Sequence, residues 1–299
     1  MYFNLLAIDF TVFILEICNT IIVSCLTFKI IAMARQKGLM KYIGTIGDVR
    51  HFKIKGQPGF YAGMVGGPTA EQIKTAPEFE RTRENMNEFG GCARAGKSLR
   101  NALSQIIGKM SDSKVTGRIT SVMKKINLED GTEARGYRKI EISTQRQYLI
   151  GFEFNKKLSI SGVFNAPYDV EHNADRNEAD FIVAGFNPAE LISSPAGATH
   201  FRLINGLAVV SDFSFNATTG NYEPDDAVNN ELNVITYSDY IPLNTAYAGG
   251  SISAELPGAP TLGNNVTVVQ CIGIEFFQEV NGNYYPFSSG NCLKIEDAF

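Results

Sequence analysis

The sequence predicts an α+β protein: an N-terminal β-hairpin or ribbon plus helices, followed by a C-terminal antiparallel β-sandwich. Three observations carry this. Charge is divided along the chain, with 21 Lys or Arg against 11 Asp or Glu over 33–147, and 5 against 18 over 148–299. Apolar residues recur at spacings of three and four in the first of these regions. In the second, short runs of β-type residues alternate with Asn, Gly, Pro and Asp. The organisation that follows is an apolar segment over 1–32, a basic hairpin-plus-helices region over 33–147 and an acidic β-sandwich domain over 148–299. The formal net charge of −4 hides this division.

The 44% apolar and 19% charged content suits a globular chain long enough for one large domain or two ordinary ones. Five cysteines, with no C-x-x-C and no Cys/His cluster, argue against a disulfide scaffold and a structural zinc.

Residues 1–32 are apolar but make a poor membrane span, because Asp9 and Glu16 interrupt them and a span needs about 20 apolar residues. They also lack the basic start and small-residue cleavage site of a signal peptide. Three readings fit: sequence ahead of a start at Met33, where MARQKG begins abruptly; an anchor followed by Lys29, Arg35, Lys37 and Lys41; or a buried helix.

From 42 to 61, Ile43, Thr45, Val49, Phe52 and Ile54 suit short strands. Gly47-Asp48 and Gly56-Gln57-Pro58-Gly59 suit the turns between them. Thr75-Ala76-Pro77-Glu78 matches a capping box with Pro in the first turn. The helical pattern after it carries Leu99, Leu103, Ile106, Ile107 and Met110 at helical spacing, and Gly90-Gly91 predicts a break. Ser111-Asp112-Ser113 offers caps for a further helix with a stripe of Val115, Ile119, Val122, Met123 and Ile126. Lys114, Arg118, Lys124 and Lys125 lie mostly off that stripe, as a solvated face or as a face for nucleic acid or an acidic protein.

Gly91-Cys92-Ala93-Arg94-Ala95-Gly96-Lys97-Ser98 matches the phosphate-loop pattern literally. A working loop needs a buried strand before the first glycine and a parallel sheet around it. Here a charged helical run precedes it, so the match reads as a decoy. Ala93, Ala95 and Gly96 read instead as a small surface for close packing.

Within these residues, MARQKG, GTIGD, PEFERTRENMNEFG and ARAGKSLRNAL, with CIGIEFFQEVNGNYYPF near the end, resemble a family of Bacteroidetes-type proteins. The resemblance runs from Met33 to the C-terminus and implies a start at Met33. It implies no activity and carries no catalytic residue over.

In the acidic region, Asn205-Gly206 and Asn281-Gly282 each predict a two-residue hairpin turn, and Thr218-Thr219-Gly220-Asn221 a third. With Asn281-Gly282 at a hairpin tip, Cys271 and Cys292 would lie opposite each other unless a bulge intervenes. Reduced, partly buried thiols are the preferred reading, and a disulfide would need an oxidising compartment.

Candidate chemistry is sparse. His51, His172 and His200 have no neighbour that completes a triad. The acidic stretch 169–180 and Glu223-Pro224-Asp225-Asp226 read as solvated loops, with calcium as the alternative. Tyr284 and Tyr285, with Phe276 and Phe277, read as core or as a stacking surface. The expectation is therefore no catalytic, cofactor-binding or metal residue and no cofactor. It is a non-enzymatic structural or interaction protein, self-assembling through two separately folded halves of opposite charge. The alternatives are nucleic-acid binding through the basic helical half and a carbohydrate- or ligand-binding sandwich. Membrane contact follows only if 1–32 is an anchor.

Overall fold

The computed structural model describes residues 34–299. The expectations for the 1–32 segment and a start at Met33 lie outside them. The chain divides into two compact units, 1–73 and 74–299.

In the first unit, β1 (Ala34–Arg35), β2 (Gly44–Ile46), β3 (Val49–Phe52) and β4 (Tyr61–Met64) form an antiparallel sheet in the order β1-β4-β3-β2. The ribbon therefore has four strands. Gly47, at φ 58°, turns β2 into β3 as its sequence suggests. Helix α1 (Ala70–Thr75) begins with a reciprocal capping box. The Gln72 N–H donates to Thr69 Oγ1 at 3.2 Å, and the Thr69 N–H donates to Gln72 Oε1 at 2.8 Å. The box expected at Thr75–Glu78 does not form, because Pro77–Phe79 is a 3-10 turn preceded by Ala76, which has no side-chain cap.

The second unit has three layers. Helices α2 (Glu80–Ala102), α3 (Ser104–Met110) and α4 (Val115–Glu129) make the first. Two sheets make the others. The larger is built on two long central strands, β7 (His200–Ser211) and β13 (Val266–Val280), paired antiparallel. β10 (Asn233–Tyr237) and β11 (Ile241–Pro242) join β7, while β14 (Asn283–Pro286) and β15 (Cys292–Ala298) join β13. The smaller sheet runs β12 (Gly250–Glu255), β6 (Glu178–Val183), β5 (Tyr168–His172). β8 (Phe213–Asn216) and β9 (Asn221–Pro224) form a separate two-stranded sheet whose Phe213 and Tyr222 join the core, and α5 (Ile160–Val163) and α6 (Pro188–Leu191) are single turns. The fold is α+β with a sandwich-like C-terminal region, as the sequence predicts.

Strand alternation shows why the large sheet is buried on both faces. Ile204, Ala208, Val269, Cys271, Leu293 and Ile295 face Leu99, Leu103, Met110, Ile119, Met123 and Ile126 of the helices. Leu203, Leu207, Val209, Ile272, Ile274 and Phe276 face the small sheet through Phe181, Val183, Ile252 and Ala254. Ile140, Leu149, Phe154, Phe213 and Tyr222 complete the same cluster around the helical stripe. Helices and strands therefore share one core, and the boundary expected at 147/148 is replaced by one at 73/74. The halves of opposite charge are not separately folded.

Three local expectations also change. Gly90-Gly91 does not break α2, which runs unbroken for 23 residues. Asn205-Gly206 is not a turn but the middle of β7. The Asn205 amide, fully buried, donates to the Ala179 and Ile252 carbonyls at 2.8 and 2.7 Å, and its Oδ1 accepts from Gln270 Nε2 at 3.0 Å. Cys271 and Cys292 are not opposite each other. Residues 287–291 shift the register after β14, so Cys271 pairs with Ile295 and Ile274 with Cys292. Both are free thiols. Asn281-Gly282 does turn, with both residues at positive φ, and Gly220 closes the turn between β8 and β9.

Candidate interaction surfaces

The phosphate-loop match lies inside α2, where its backbone N–H groups belong to the helix. Its glycines serve packing instead. A Cβ on Gly91 would come within 2.5 Å of the Tyr222 ring, and one on Gly96 within 2.9 Å of Ile119 Cγ2. The Ser98 hydroxyl donates to Glu231 Oε1 at 2.9 Å, and Lys97 points to solvent.

Much of the helical cationic charge is engaged within the unit. Lys124 pairs with the buried Glu88, whose Oε1 also accepts the Gly136 N–H at 2.7 Å. Arg118 pairs with Asp112 at 2.8 Å and donates to the Glu153 and Phe154 carbonyls. Arg94 donates to the Tyr222 carbonyl and to Asn221 Oδ1. Lys109 lies 3.9 Å from the buried Glu275, which Arg202 holds at 2.7 Å. These cations brace the core rather than form an open basic face.

The stretch 169–180 is not a loop but the β5–β6 hairpin, and it carries a feature the sequence reading missed. Tyr168, Val170, Ala179, Phe181, Val183, Ile252 and Ala254 turn inward, so Asp169, Glu171, Glu178, Asp180 and Glu255 share the outer face of the small sheet. Register puts Glu171 opposite Asp180 and Glu178 opposite Glu255. Like charges directly opposed across a sheet cost stability. None of the five is in an ion pair among the described residues. Among the described residues, the side-chain donors to the Asp180 carboxylate are the hydroxyls of Ser251 and Ser253. Nearby Arg176 is turned away, onto the carbonyls of Leu262, Gly263 and Val266. The signal was present as alternate acids in D-V-E, E-A-D and S-A-E, which a strand reading places on one side.

The first unit has the opposite character. Residues 34–73 hold six Lys or Arg against two Asp or Glu. Arg35, Lys41, Lys53 and Lys55 line a cleft of about 890 Å³ with Gln57 and Phe60, and no described lining residue is a carboxylate. The Lys41 and Lys53 ammonium groups stand 5.6 and 5.8 Å from the centre of the Phe60 ring. This unit contains none of the described buried apolar side chains, the first of which is Cys92. Leu39, Met40, Ile43, Ile46, Met64 and Val65 are each more than half exposed. Ile46, Val49 and Met64 form one apolar row across β2, β3 and β4. A small sheet whose described apolar side chains all stay at least partly exposed is marginal unless something covers it.

His51 meets the Tyr42 ring edge-on, His172 stacks on Phe299 at 3.9 Å, and His200 contacts Thr199 and Tyr284. Burial raises the Cys92 and Cys292 thiols to about 12 and pushes Cys271 up as well, which removes thiolate reactivity. Phe276 and Phe277 are core, while Tyr284 and Tyr285 are exposed on β14. Tyr284 stacks on Tyr240 at 3.9 Å. Burial raises the Asp212 carboxyl to about 6 although Ser143 donates to it from both its N–H and its hydroxyl. Among the described residues no group of three or more His, Cys, Asp or Glu gathers as a metal site, and no helix is long and apolar enough to cross a membrane.

No protein-family model matches the chain, and no curated protein matches it. The resemblance to Bacteroidetes-type proteins therefore rests on the residues quoted for it.

Proposed function

We propose that this is a non-enzymatic structural protein that assembles head to tail, the basic unit of one molecule seating on the acidic sheet face of the next. One observation carries the reading: a basic sheet whose described apolar side chains are not buried, and an acidic sheet face with no ion pair among the described residues, occur in one chain. Charge complementarity supplies orientation and register. The apolar row of Ile46, Val49 and Met64 supplies area that water exclusion can reward. A heterologous contact of this kind repeats into rings or filaments. Light scattering across a salt series tests it. Mass above 32.8 kDa at low salt, falling to the monomer near 1 M where the screening length is about 3 Å, is the expected result. A monomer at every salt concentration would remove it.

A second reading has its own support. Phe52 and Tyr61 stack at 6.2 Å, with Arg50 beside Phe52, and this pattern of rings and cations also suits single-stranded nucleic acid. Within the basic half, this support for the nucleic-acid alternative lies in residues 34–73. Filter binding at low salt discriminates, since retention of an oligonucleotide would favour it over self-assembly.

A further inference from the structure

A third charged feature lies in the second unit and is independent of the assembly surfaces. A cavity of about 280 Å³ at the start of α4 is lined by Asp112, Ser113, Lys114, Arg118, Lys156 and Lys157. Four of these six residues are cationic, one is a hydroxyl and one a carboxylate.

The carboxylate is already occupied. Asp112 Oδ1 accepts the Lys114 N–H at 2.7 Å, and Oδ2 accepts the Lys156 N–H at 2.9 Å and Arg118 Nη2 at 2.8 Å. Arg118 is fixed in turn by the Glu153 and Phe154 carbonyls and lies 5.0 Å from the Phe152 ring. Asp112 and Arg118 thus neutralise each other and form a braced wall. The ammonium groups of Lys114, Lys156 and Lys157 have no carboxylate partner among the described residues, and all three side chains are exposed.

The setting makes this convergence unusual. Only five Lys or Arg occur in 148–299. Arg176 is bound to three carbonyls, Arg202 to Glu275 and Lys294 to Glu296. The remaining two, Lys156 and Lys157, line one cavity with Lys114, the N-cap residue of α4. Three like charges gathered without a counter-ion repel, and a bound anion would convert that cost into attraction.

The geometry points to a binding site here for a small phosphoryl dianion, held by Lys114, Lys156, Lys157 and the Ser113 hydroxyl. A dianion with three or more acceptor oxygens matches several ammonium donors and a hydroxyl better than a monovalent anion does. The positive end of the 15-residue α4 adds to the same field. The volume is at the small end for ligand sites, which suits free phosphate or a small phosphorylated metabolite and not a polymer.

The test is titration of the full chain at low ionic strength, followed by calorimetry and 31P line width, with inorganic phosphate in one arm and glycerol 3-phosphate in the other. Sodium chloride at matched ionic strength is the control. Saturable phosphate binding is expected, weakened at least tenfold in Lys156→Ala/Lys157→Ala and in Lys114→Ala, and unchanged in Lys41→Gln/Lys53→Gln. The Lys156 backbone N–H that holds Asp112 survives the substitution, and circular dichroism of each variant verifies the fold. Equal affinity in the two arms identifies free phosphate as the ligand; tighter glycerol 3-phosphate identifies a phosphorylated metabolite. No saturable binding by wild type, binding unaffected by the lysine substitutions, or binding abolished by Lys41→Gln/Lys53→Gln would overturn the assignment.

Discussion

Residues 34–73 and residues 74–299 handle charge in opposite ways. In the larger unit, helical cations meet buried or half-buried carboxylates or backbone carbonyls: Lys124 on Glu88, Arg118 on Asp112, Arg94 on the Tyr222 carbonyl. In the smaller one, Arg35, Lys41, Lys53 and Lys55 converge on a cleft with no described carboxylate, and none of the described apolar side chains is buried. Counting charge along the chain therefore misplaces the poles. The helices contribute to the basic total but direct much of it inward. The exposed opposition is between the N-terminal sheet and the outer face of the small β-sheet. Charge with a local partner holds a fold together; charge without one is available to a second molecule.

The largest expected effect breaks the first half of that comparison. Glu88→Ala would leave Lys124 and the Gly136 N–H without their buried acceptor, and should cost about 3–5 kcal/mol in denaturant unfolding. A loss below about 1 kcal/mol would show that the helical charges are not structural.

Asp212 sharpens the same point through pH. Its carboxyl rises from 3.8 to about 6 in the fold, chiefly through burial. The native state therefore holds a proton that the unfolded chain has released, and stability contributed by this group is lost as pH rises from about 4 to 6. At 1.36 kcal/mol per unit the change approaches ~3 kcal/mol. Asp212→Asn should abolish that part of the slope, measured as the difference between the two unfolding curves against pH. Parallel curves would contradict it.

Two adjacent glycines should differ in sign. Gly91→Ala drives a Cβ into the Tyr222 ring and should destabilise by about 1–3 kcal/mol. Gly90→Ala meets nothing within 4 Å and should stabilise by up to about 1 kcal/mol through helix propensity. Thermal melts of the two variants check the pair, and shifts of the same sign would mean that α2 does not pack on Tyr222 as described.

What could be read from the chain follows the range of the interactions involved. The stripe Val115, Ile119, Met123, Ile126 was legible because helical periodicity is local, and Asn281-Gly282 because both residues take the positive φ that such a turn needs. The same dipeptide at 205–206 misled. Its polarity is satisfied by Ala179, Ile252 and Gln270, all distant in sequence, inside a strand flanked by apolar residues on both sides. Gly91 carried a break signal but answers to Tyr222, more than a hundred residues away. The Cys271–Cys292 alignment failed because 287–291 shifts the register between β14 and β15. The basic ribbon was legible as basic. The acidic face shows in the sequence only as acidity, because a stretch as rich in Asp, Glu and Asn as 169–180 reads equally as a polar loop.

Mixing two neutralised variants tests the account most directly. One carries Lys41→Gln, Lys53→Gln and Lys55→Gln; the other carries Glu171→Gln, Glu178→Gln and Asp180→Asn. Each retains one of the two opposed surfaces. Sedimentation at low salt should show each alone as a 32.8 kDa monomer, and the mixture as a one-to-one dimer that grows no longer. A mixture that stays monomeric while wild type assembles, or variants that assemble unaided, would contradict a head-to-tail contact between these faces.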